Sequence, residues 1–435
     1  MNMSRQLFFG LKIILFWMIG GNLFNRYSYI GGIILTIVAM FFYFTLKDEE
    51  KFIFILSSVP MAAIFKISAD LPSSIILFYF MFILEYFYEK RKINKRVLLG
   101  LLTLFFAQII AILIYQAALI SIISFIINIL FCEVAFEKLS SVQDKLKVLK
   151  KAGMIFGLVM ILNIGLAMIY PNMAYVISYE KQKALETAGR FAALNADSNY
   201  YNQLVSVAIS LLLAICLMKT TKKFQKIYLA VIIIFLIIKG MESKSKSFVI
   251  VLFVIIILLV FLMIRNTKIN KIFILKIFVI AMLGVLLSIY FFNEVLVPLF
   301  IERSLDNTTL LSNREVIWKN YFYGFVHNPS VLLVGTGIMN GGNILSNGSA
   351  AHNVYLEILA ETGIVGCISI YLILKPIFKK FKLLFKSTNL IFVWALLITS
   401  FGLSLSSNDA MFVLLPLVAL VGGENNSDKE YIKKD

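Results

Sequence analysis

The chain has 435 residues, of which 60% are hydrophobic and 15% are charged, and its mean hydropathy is +0.90. A soluble domain carries about 25% charged residues, so this composition, with long apolar runs from end to end, excludes a soluble globular protein. The net charge of +17 would suit nucleic acid, but the basic residues lie between apolar runs, and we expect no nucleic-acid partner. The runs lack the alternation of a transmembrane β-barrel.

We therefore predict an all-α polytopic membrane protein, a single integral membrane domain over 1–435 with about 12–14 transmembrane helices. Candidate spans lie near 7–24, 27–46, 52–67, 71–88, 97–136, 152–170, 203–218, 227–240, 247–264, 272–292, 354–374, 390–405 and 409–421. The run at 97–136 is twice the roughly 20 residues that cross a bilayer, so it predicts a helical hairpin. The first run lacks a small-x-small cleavage motif, which favours a retained helix over a signal peptide. The last two spans are short, and re-entrant segments are an alternative.

The basic residues predict the orientation. Most of the 41 Lys and Arg residues fall in alternate connections, such as 90–96, 138–151 and 375–386, and in the terminal segments. The positive-inside rule places these segments, with both termini, in the cytoplasm. The basic side chains would then interact mainly with the membrane lipids.

Two connections on the opposite, outer face are long. The first spans 171–202, and the large outer loop spans 293–353, far beyond the usual connection of about 4–6 residues. Ser312-Asn313-Arg314-Glu315 is typical of a capping box that opens a helix. Aromatic residues then recur at helical spacing: Trp318, Tyr321 and Phe325. We predict an amphipathic helix at the outer membrane interface that ends near His327.

Several cations fall on this outer face. They are Arg190, Lys244, Lys246, Arg303 and Arg314. A group of cations suits a multiply anionic ligand such as a pyrophosphate. Taken singly, each has the alternative of a solvated or lipid-facing charge. The acids near them lack the spacing of a metal site, and the three cysteines lie within apolar runs, so we predict no metal and no cofactor.

His352 is the stronger of the two histidines as a functional candidate. Asn353 is a good N-cap for a helix that begins at Val354, and the positive end of that helix dipole favours a neutral imidazole. A neutral imidazole can act as a general base. The alternative is that His352 only forms hydrogen bonds within the loop. His327, followed by Asn-Pro, is typical of a helix end with a solvated ring.

A glycine run, Gly335-Thr336-Gly337 with Gly341-Gly342, resembles a phosphate-binding loop only superficially. It lacks the Gly-Lys-Ser/Thr ending and follows no βα unit. We expect a flexible loop that lets the backbone approach a ligand closely.

The motifs over roughly 310–370 resemble the shared C-terminal half of bacterial O-antigen ligases and of O-antigen or capsular polysaccharide polymerases (the WaaL/Wzy superfamily). They are Arg314-x-x-x-Trp318, Pro329…Leu333-x-Gly335-x-Gly337, His352-Asn353-x-Tyr355-Leu356 and Glu361-x-Gly363-x-x-Gly366. Arg190 to Asn199 is similar to the family's Arg followed by an Asp-x-Asn element. Where the family often has Ser-Arg-Gly/Ser, this chain has Ser-Lys-Ser at 243–245 and again at 245–247.

The resemblance implies an inverting, metal-independent glycosyltransferase with a GT-C-like fold in the bacterial cytoplasmic membrane. Its donor would be an oligosaccharide on undecaprenyl pyrophosphate, and a flippase and a chain-length regulator would be partners. His352 would be the base, supported by Trp318, Asn353 and Tyr355. Arg190, Lys244 or Lys246, Arg303 and Arg314 would bind the pyrophosphate.

Three functions stay open on the sequence. The first is a repeat-unit polymerase, which the span count and the divergent N-terminal half favour. The second is a ligase that moves finished glycan to a different acceptor. The third is a transporter of lipid-linked glycan, which needs ionisable residues inside the spans. Few lie there, namely Lys12, Glu85 and Lys276, each near a span end.

Overall fold

In the computed structural model the described residues are 2–67, 73–187, 189–195, 197–218, 220–266, 314–384 and 409–420, with isolated positions between 275 and 297. The protein is 83% helical, with no strand among these residues. The predicted spans 272–292 and 390–405 lie outside the described segments. The span count is therefore left as a prediction.

The helices are numbered here in chain order. They are α1 (Asn2–Phe44), α2 (Asp48–Ser58), α3 (Ile76–Tyr88), α4 (Lys95–Tyr115), α5 (Leu119–Ser140), α6 (Lys145–Ile169), α7 (Asn172–Ile177), α8 (Tyr179–Thr187), α9 (Ser198–Leu217), α10 (Lys223–Met241), α11 (Lys246–Asn266), α12 (Arg314–His327), α13 (Pro329–Val334), α14 (Gly341–Leu345), α15 (Val354–Leu384) and α16 (Asp409–Leu414). Short 3₁₀ turns lie at Ala62–Phe65, Ala193–Asn195 and Leu415–Leu420. Seven helices of the described residues are long and apolar enough to cross a membrane: α1, α4, α5, α6, α9, α10 and α15.

Helix α1 is a hairpin of two arms. Ser28 has non-helical angles (φ 51°, ψ −128°), and the chain reverses there. The Phe16 and Phe42 rings stack 5.0 Å apart, and Gly20 lies against Leu35. These contacts agree with the two spans predicted at 7–24 and 27–46.

The long run at 97–136 also forms a hairpin, as its length predicted. Helix α4 ends at Gln116, whose left-handed conformation (φ 55°) turns the chain, and α5 returns from Leu119. Asn94 caps α4 at its other end, since its side chain accepts from Arg96 N at 2.9 Å. Tyr115, at the turn, bonds Ser330 Oγ at 2.6 Å, so this end of the hairpin meets the segment that leads to His352.

Helix α9 lies at the centre of the bundle. All its residues over 201–212 are buried, and it packs on α6, α10 and α11. It begins at Ser198, ahead of the apolar run that placed a span at 203, because Asp197 caps its first turn. Its Oδ1 accepts from Asn199 N at 2.8 Å and from Tyr200 N at 3.1 Å.

The basic connections meet at one end of the bundle, which we call the basic end. Ion pairs join neighbouring helices there: Lys51–Glu85 and Lys151–Glu50, at 2.7 and 2.8 Å. The opposite end, formed by 170–198, 241–247 and 314–353, carries His352 and is called the His352 end. Grouping the predicted inner loops at one end is what the positive-inside pattern requires of antiparallel helices.

Candidate functional site at the His352 end

The His352 end brings predicted site residues from separate segments into one region. Arg190 follows α8, Lys244 lies in the turn between α10 and α11, Arg314 opens α12, and His352 precedes α15. Lys246 opens α11, but its side chain lies outside the described part of the structure, as does all of Arg303.

Arg190, Arg314 and His352 lie close enough for their charges to act on one another. Burial lowers the pKa of the His352 imidazole; Arg314 lowers it further, while Asp197 raises it. Burial also lowers the pKa of the Arg190 guanidinium, against the opposing effect of Asp197 and together with the repulsion from Arg314. Half-buried cations that repel each other are stabilised by an anionic ligand between them.

Arg190 is fixed in place by the turn after α10. Its Nε donates to Ser243 O at 3.0 Å, and the next backbone amide, Phe191 N, donates to Glu242 O at 3.1 Å. The Ser243 hydroxyl in turn accepts from Asn202 Nδ2 of α9 at 2.6 Å. The first serine of the Ser-Lys-Ser pattern therefore joins α9, α10 and the Arg190 segment.

Lys244 lies at the tip of that turn with an exposed side chain and a left-handed backbone (φ 51°). A methyl group added at Gly189 would lie 3.1 Å from its Nζ, so the ammonium sits directly beside the residue that precedes Arg190. Of the two lysines in the doubled Ser-Lys-Ser pattern, Lys244 is the one that the described contacts place next to Arg190.

Asp197 is a site residue that the sequence did not single out. Its carboxylate caps α9 and raises the pKa of both Arg190 and His352. The available signal was its place after Arg190 in the Asp-x-Asn element, but an aspartate before a helix is usually explained by capping alone.

Ala351, the residue before His352, is held through both of its backbone polar groups. Trp318 Nε1 donates to Ala351 O at 2.8 Å, and Ala351 N donates to Glu357 Oε1 at 2.8 Å. His352 itself has a left-handed backbone, with φ of 50°. Trp318 was predicted as a supporting residue from a resemblance; its hydrogen bond gives a physical reason for that role.

Asn353 caps α15, as predicted. Its Oδ1 accepts from Tyr355 N at 3.1 Å and from Leu356 N at 3.2 Å. The Tyr355 side chain is 41% exposed and lies on the outside of the first turn. The cap places the positive end of the α15 dipole beside His352, which adds to the effects that favour its neutral form.

The glycine run has a different role from the predicted one. Helix α15 is interrupted at Gly363 (φ 64°, ψ −176°), which frees two carbonyls of its first segment. Thr336 N donates to Ala360 O at 2.8 Å, and Gly337 N donates to Glu361 O at 3.0 Å. The backbone of Gly335-Thr336-Gly337 thus approaches another backbone and supplies the donors that an interrupted helix needs in a membrane protein.

Gln108 of α4 joins this contact from the side. Its Nε2 donates to Glu361 O at 3.1 Å, and its Oε1 accepts from Ile338 N at 3.2 Å. A Cβ at Gly335 would overlap Glu361 O, and a Cβ at Gly363 would overlap Leu333 O, so the two segments meet at glycine contact distance.

Helix α12 is present, but its pattern differs from the amphipathic one that the sequence predicted. Tyr321 and Phe325 are buried against the protein, whereas Phe322, Tyr323 and Val326 are 58%, 64% and 76% exposed. Apolar side chains therefore lie on both faces. His327 is exposed and stacks on Tyr323 with 3.8 Å between ring centroids, in agreement with a helix-end role.

The site as a whole offers cations and a neutral imidazole on one surface. Such a surface can bind an anionic group and accept a proton beside it. Neither a protein-family model nor a curated protein sequence matches the chain.

Proposed function

We propose that the protein is a polysaccharide repeat-unit polymerase of the bacterial cytoplasmic membrane. It transfers a growing glycan from undecaprenyl pyrophosphate onto the non-reducing sugar of a second lipid-linked repeat unit. The observation that carries the proposal is the common electrostatic environment of Arg190, Arg314 and His352, which come from distant parts of the chain.

In the proposed reaction, neutral His352 accepts the proton of the acceptor hydroxyl as its oxygen attacks the anomeric carbon of the donor. The bond from that carbon to the pyrophosphate oxygen breaks, and the configuration inverts. The pyrophosphate leaves with its added negative charge beside Arg190, Arg314 and Lys244. Fixed cations stabilise charge that develops in the transition state, so the step is written without a metal.

The membrane arrangement of the proposal is GT-C-like, with 12–14 spans, both termini in the cytoplasm and the His352 end at the outer face. Its support is the grouping of the basic connections at the opposite end of the bundle. Lipid-linked sugar would then be polymerised where a flippase delivers it, with a chain-length regulator as a second partner.

The test replaces the chromosomal gene with a His352→Ala allele and examines the lipid-linked glycans. We expect single repeat units on the carrier and no polymer, because no base removes the acceptor proton. Full-length chains accumulating on the carrier would instead establish the ligase alternative. Loss of all lipid-linked glycan from the outer leaflet would favour a transporter.

The matched control is His327→Ala. It removes the other histidine, whose exposed ring contacts Tyr323 of its own helix. We expect wild-type polymer from this variant. Normal polymer from His352→Ala, with protein level and topology unchanged, would contradict the role of His352 as base.

A further inference from the structure

His352 has a backbone conformation that its surroundings must enforce. Its φ of 50° lies in the left-handed region, which costs a non-glycine residue on the order of 1 kcal/mol or more. Such a residue persists only where several contacts fix it. Two such contacts are the hydrogen bonds to the backbone O and N of the preceding residue, Ala351.

One of those bonds comes from an acid in an unusual place. Glu357 is 2% exposed, and its Oε1 bonds Ala351 N, whose residue belongs to a buried apolar and aromatic cluster with Tyr321, Phe325 and Leu356. Burying a carboxylate costs several kcal/mol, and an apolar side chain of similar size would fill this space without that cost. An acid at this position therefore calls for a specific acceptor role.

The reach of Glu357 defines that role. In a capping box the third residue of the helix binds the amide of the N-cap; here the N-cap is Asn353 and the third residue is Leu356, so Glu357 is the fourth. Glu357 instead reaches past the cap and accepts from Ala351 N, on the far side of His352. Asn353 closes the other side by capping α15. His352 thus lies between two anchored residues, Ala351 and Asn353.

We propose that Glu357 is a positioning residue, whose side-chain oxygen holds the backbone that carries the His352 imidazole at the site. The proposal rests on the proposed function for its kinetic effect, but its structural effect on His352 can be measured independently. The role requires a side-chain oxygen that can accept from Ala351 N. Glutamine also provides this oxygen, and alanine does not.

The kinetic test uses purified full-length protein and lipid-pyrophosphate-linked repeat units. Glu357→Ala should lower kcat by about 10²-fold with KM changed little, because a small displacement of a catalytic group costs about that much. Glu357→Gln should keep kcat within about 3-fold of wild type, since its carbonyl oxygen accepts from Ala351 N. Equal loss of kcat in both variants would overturn the proposal.

A matched control on the same helix is Ser369→Ala. Ser369 is also fully buried, and its hydroxyl bonds only Val365 O of its own helix, at 2.8 Å. This variant should retain wild-type kcat. If Glu357→Ala lost kcat only because α15 is intolerant of buried polar deletions, Ser369→Ala would lose it as well.

The second readout does not need activity. In a His327→Gln background His352 is the only histidine, and isotope-labelled histidine gives one NMR titration. Glu357→Ala should move its midpoint towards the ordinary histidine value as the ring leaves its half-buried place, where burial and Arg314 lower its pKa, while Glu357→Gln should not. An unchanged midpoint in Glu357→Ala would overturn the proposal, whereas inactive wild-type protein with a shifted midpoint would overturn only the proposed function.

Discussion

Burial, one cation and one anion set the pKa of the His352 imidazole. Burial and Arg314 lower its pKa, and Asp197 raises it. Because the first two effects prevail, the imidazole stays neutral from its ordinary pKa of about 6.5 down to the lowered pKa. The proposed base therefore stays in its active form in mildly acidic surroundings, and its rate falls only as pH drops through the lowered pKa.

The fall of the rate at low pH is the acid limb of the pH–rate profile. Two charge substitutions should shift this limb along the pH axis in opposite directions. Asp197→Asn removes the charge that raises the pKa of His352, so the limb should shift to lower pH. Arg314→Gln removes a charge that lowers the pKa, so the limb of its residual activity should shift to higher pH. The measurement is the pH dependence of initial rate with purified protein.

Asp197→Asn removes the negative charge but keeps the cap of α9. Asparagine is as good an N-cap and can still accept from Asn199 N and Tyr200 N. Lys319→Gln serves as the control, since Lys319 is an exposed cation on α12 beyond Arg314. A shift of the limb in the Lys319 variant, or shifts of the same sign at Asp197 and Arg314, would contradict this electrostatic account.

At the residue scale the sequence predicted the members that carry obvious charge or a helix-cap pattern, such as Arg190, Arg314, His352 and Asn353. It did not predict the role of Glu357. Two acids one turn apart, Glu357 and Glu361, in an apolar stretch are a visible signal, but only the fold shows that the first one reaches the amide before His352.

At the element scale, α15 is interrupted where its backbone contacts the backbone of residues 333–337. The sequence contains the glycines, but their partner segments are brought together by tertiary packing, so the break was not predictable from local pattern. The hairpins of α1 and α4–α5 were predictable, because span length and charge constrain them without reference to tertiary contacts.

Gly363→Ala should destabilise the protein strongly. The angles of Gly363 (φ 64°, ψ −176°) lie in a region that is essentially restricted to glycine, so alanine costs on the order of 1–3 kcal/mol there, and its Cβ would also overlap Leu333 O. Thermal unfolding in detergent should show a clearly lowered Tm. Gly165→Ala is the control, because that glycine lies within helix α6 with open space around it, and alanine there should be neutral or slightly stabilising. Equal Tm values for the two variants would contradict the close contact between the backbones of Gly363 and Leu333.

At the scale of the whole molecule, the two ends of the bundle differ in how their charges are neutralised. At the basic end, acids pair with the cations directly, as Lys51–Glu85 and Lys151–Glu50 do. At the His352 end, Arg190 and Arg314 form no ion pair within 4.0 Å among the described residues. Some cations of the first end are therefore paired within the fold, whereas Arg190 and Arg314 of the second are available to an anion from outside.

The ion pairs of the basic end should contribute to stability as pairs. Lys51→Met leaves Glu85 largely buried without its cation and should cost about 3–5 kcal/mol of unfolding free energy. The double variant with Glu85→Gln should recover most of that loss, because Tyr43 can still donate to the amide oxygen at this position. Chemical denaturation in detergent measures both.

Lys223, an exposed lysine of the basic end, serves as the control for Lys51. Lys223→Met should change the unfolding free energy by a few tenths of a kcal/mol, as surface charges do. A double variant no more stable than Lys51→Met alone would show that the pair is not the origin of the loss.

The bridge made by Gln108 has a consequence for how such chains recombine. One side chain of the N-terminal half serves both Ile338 and the interrupted helix of the C-terminal half. A crossover between α5 and α12 therefore inherits the bridging residue from one parent and its two partners from the other. Functional chimeras should be recovered only where the parents agree at this bridge, so the two halves of the chain are constrained to change together.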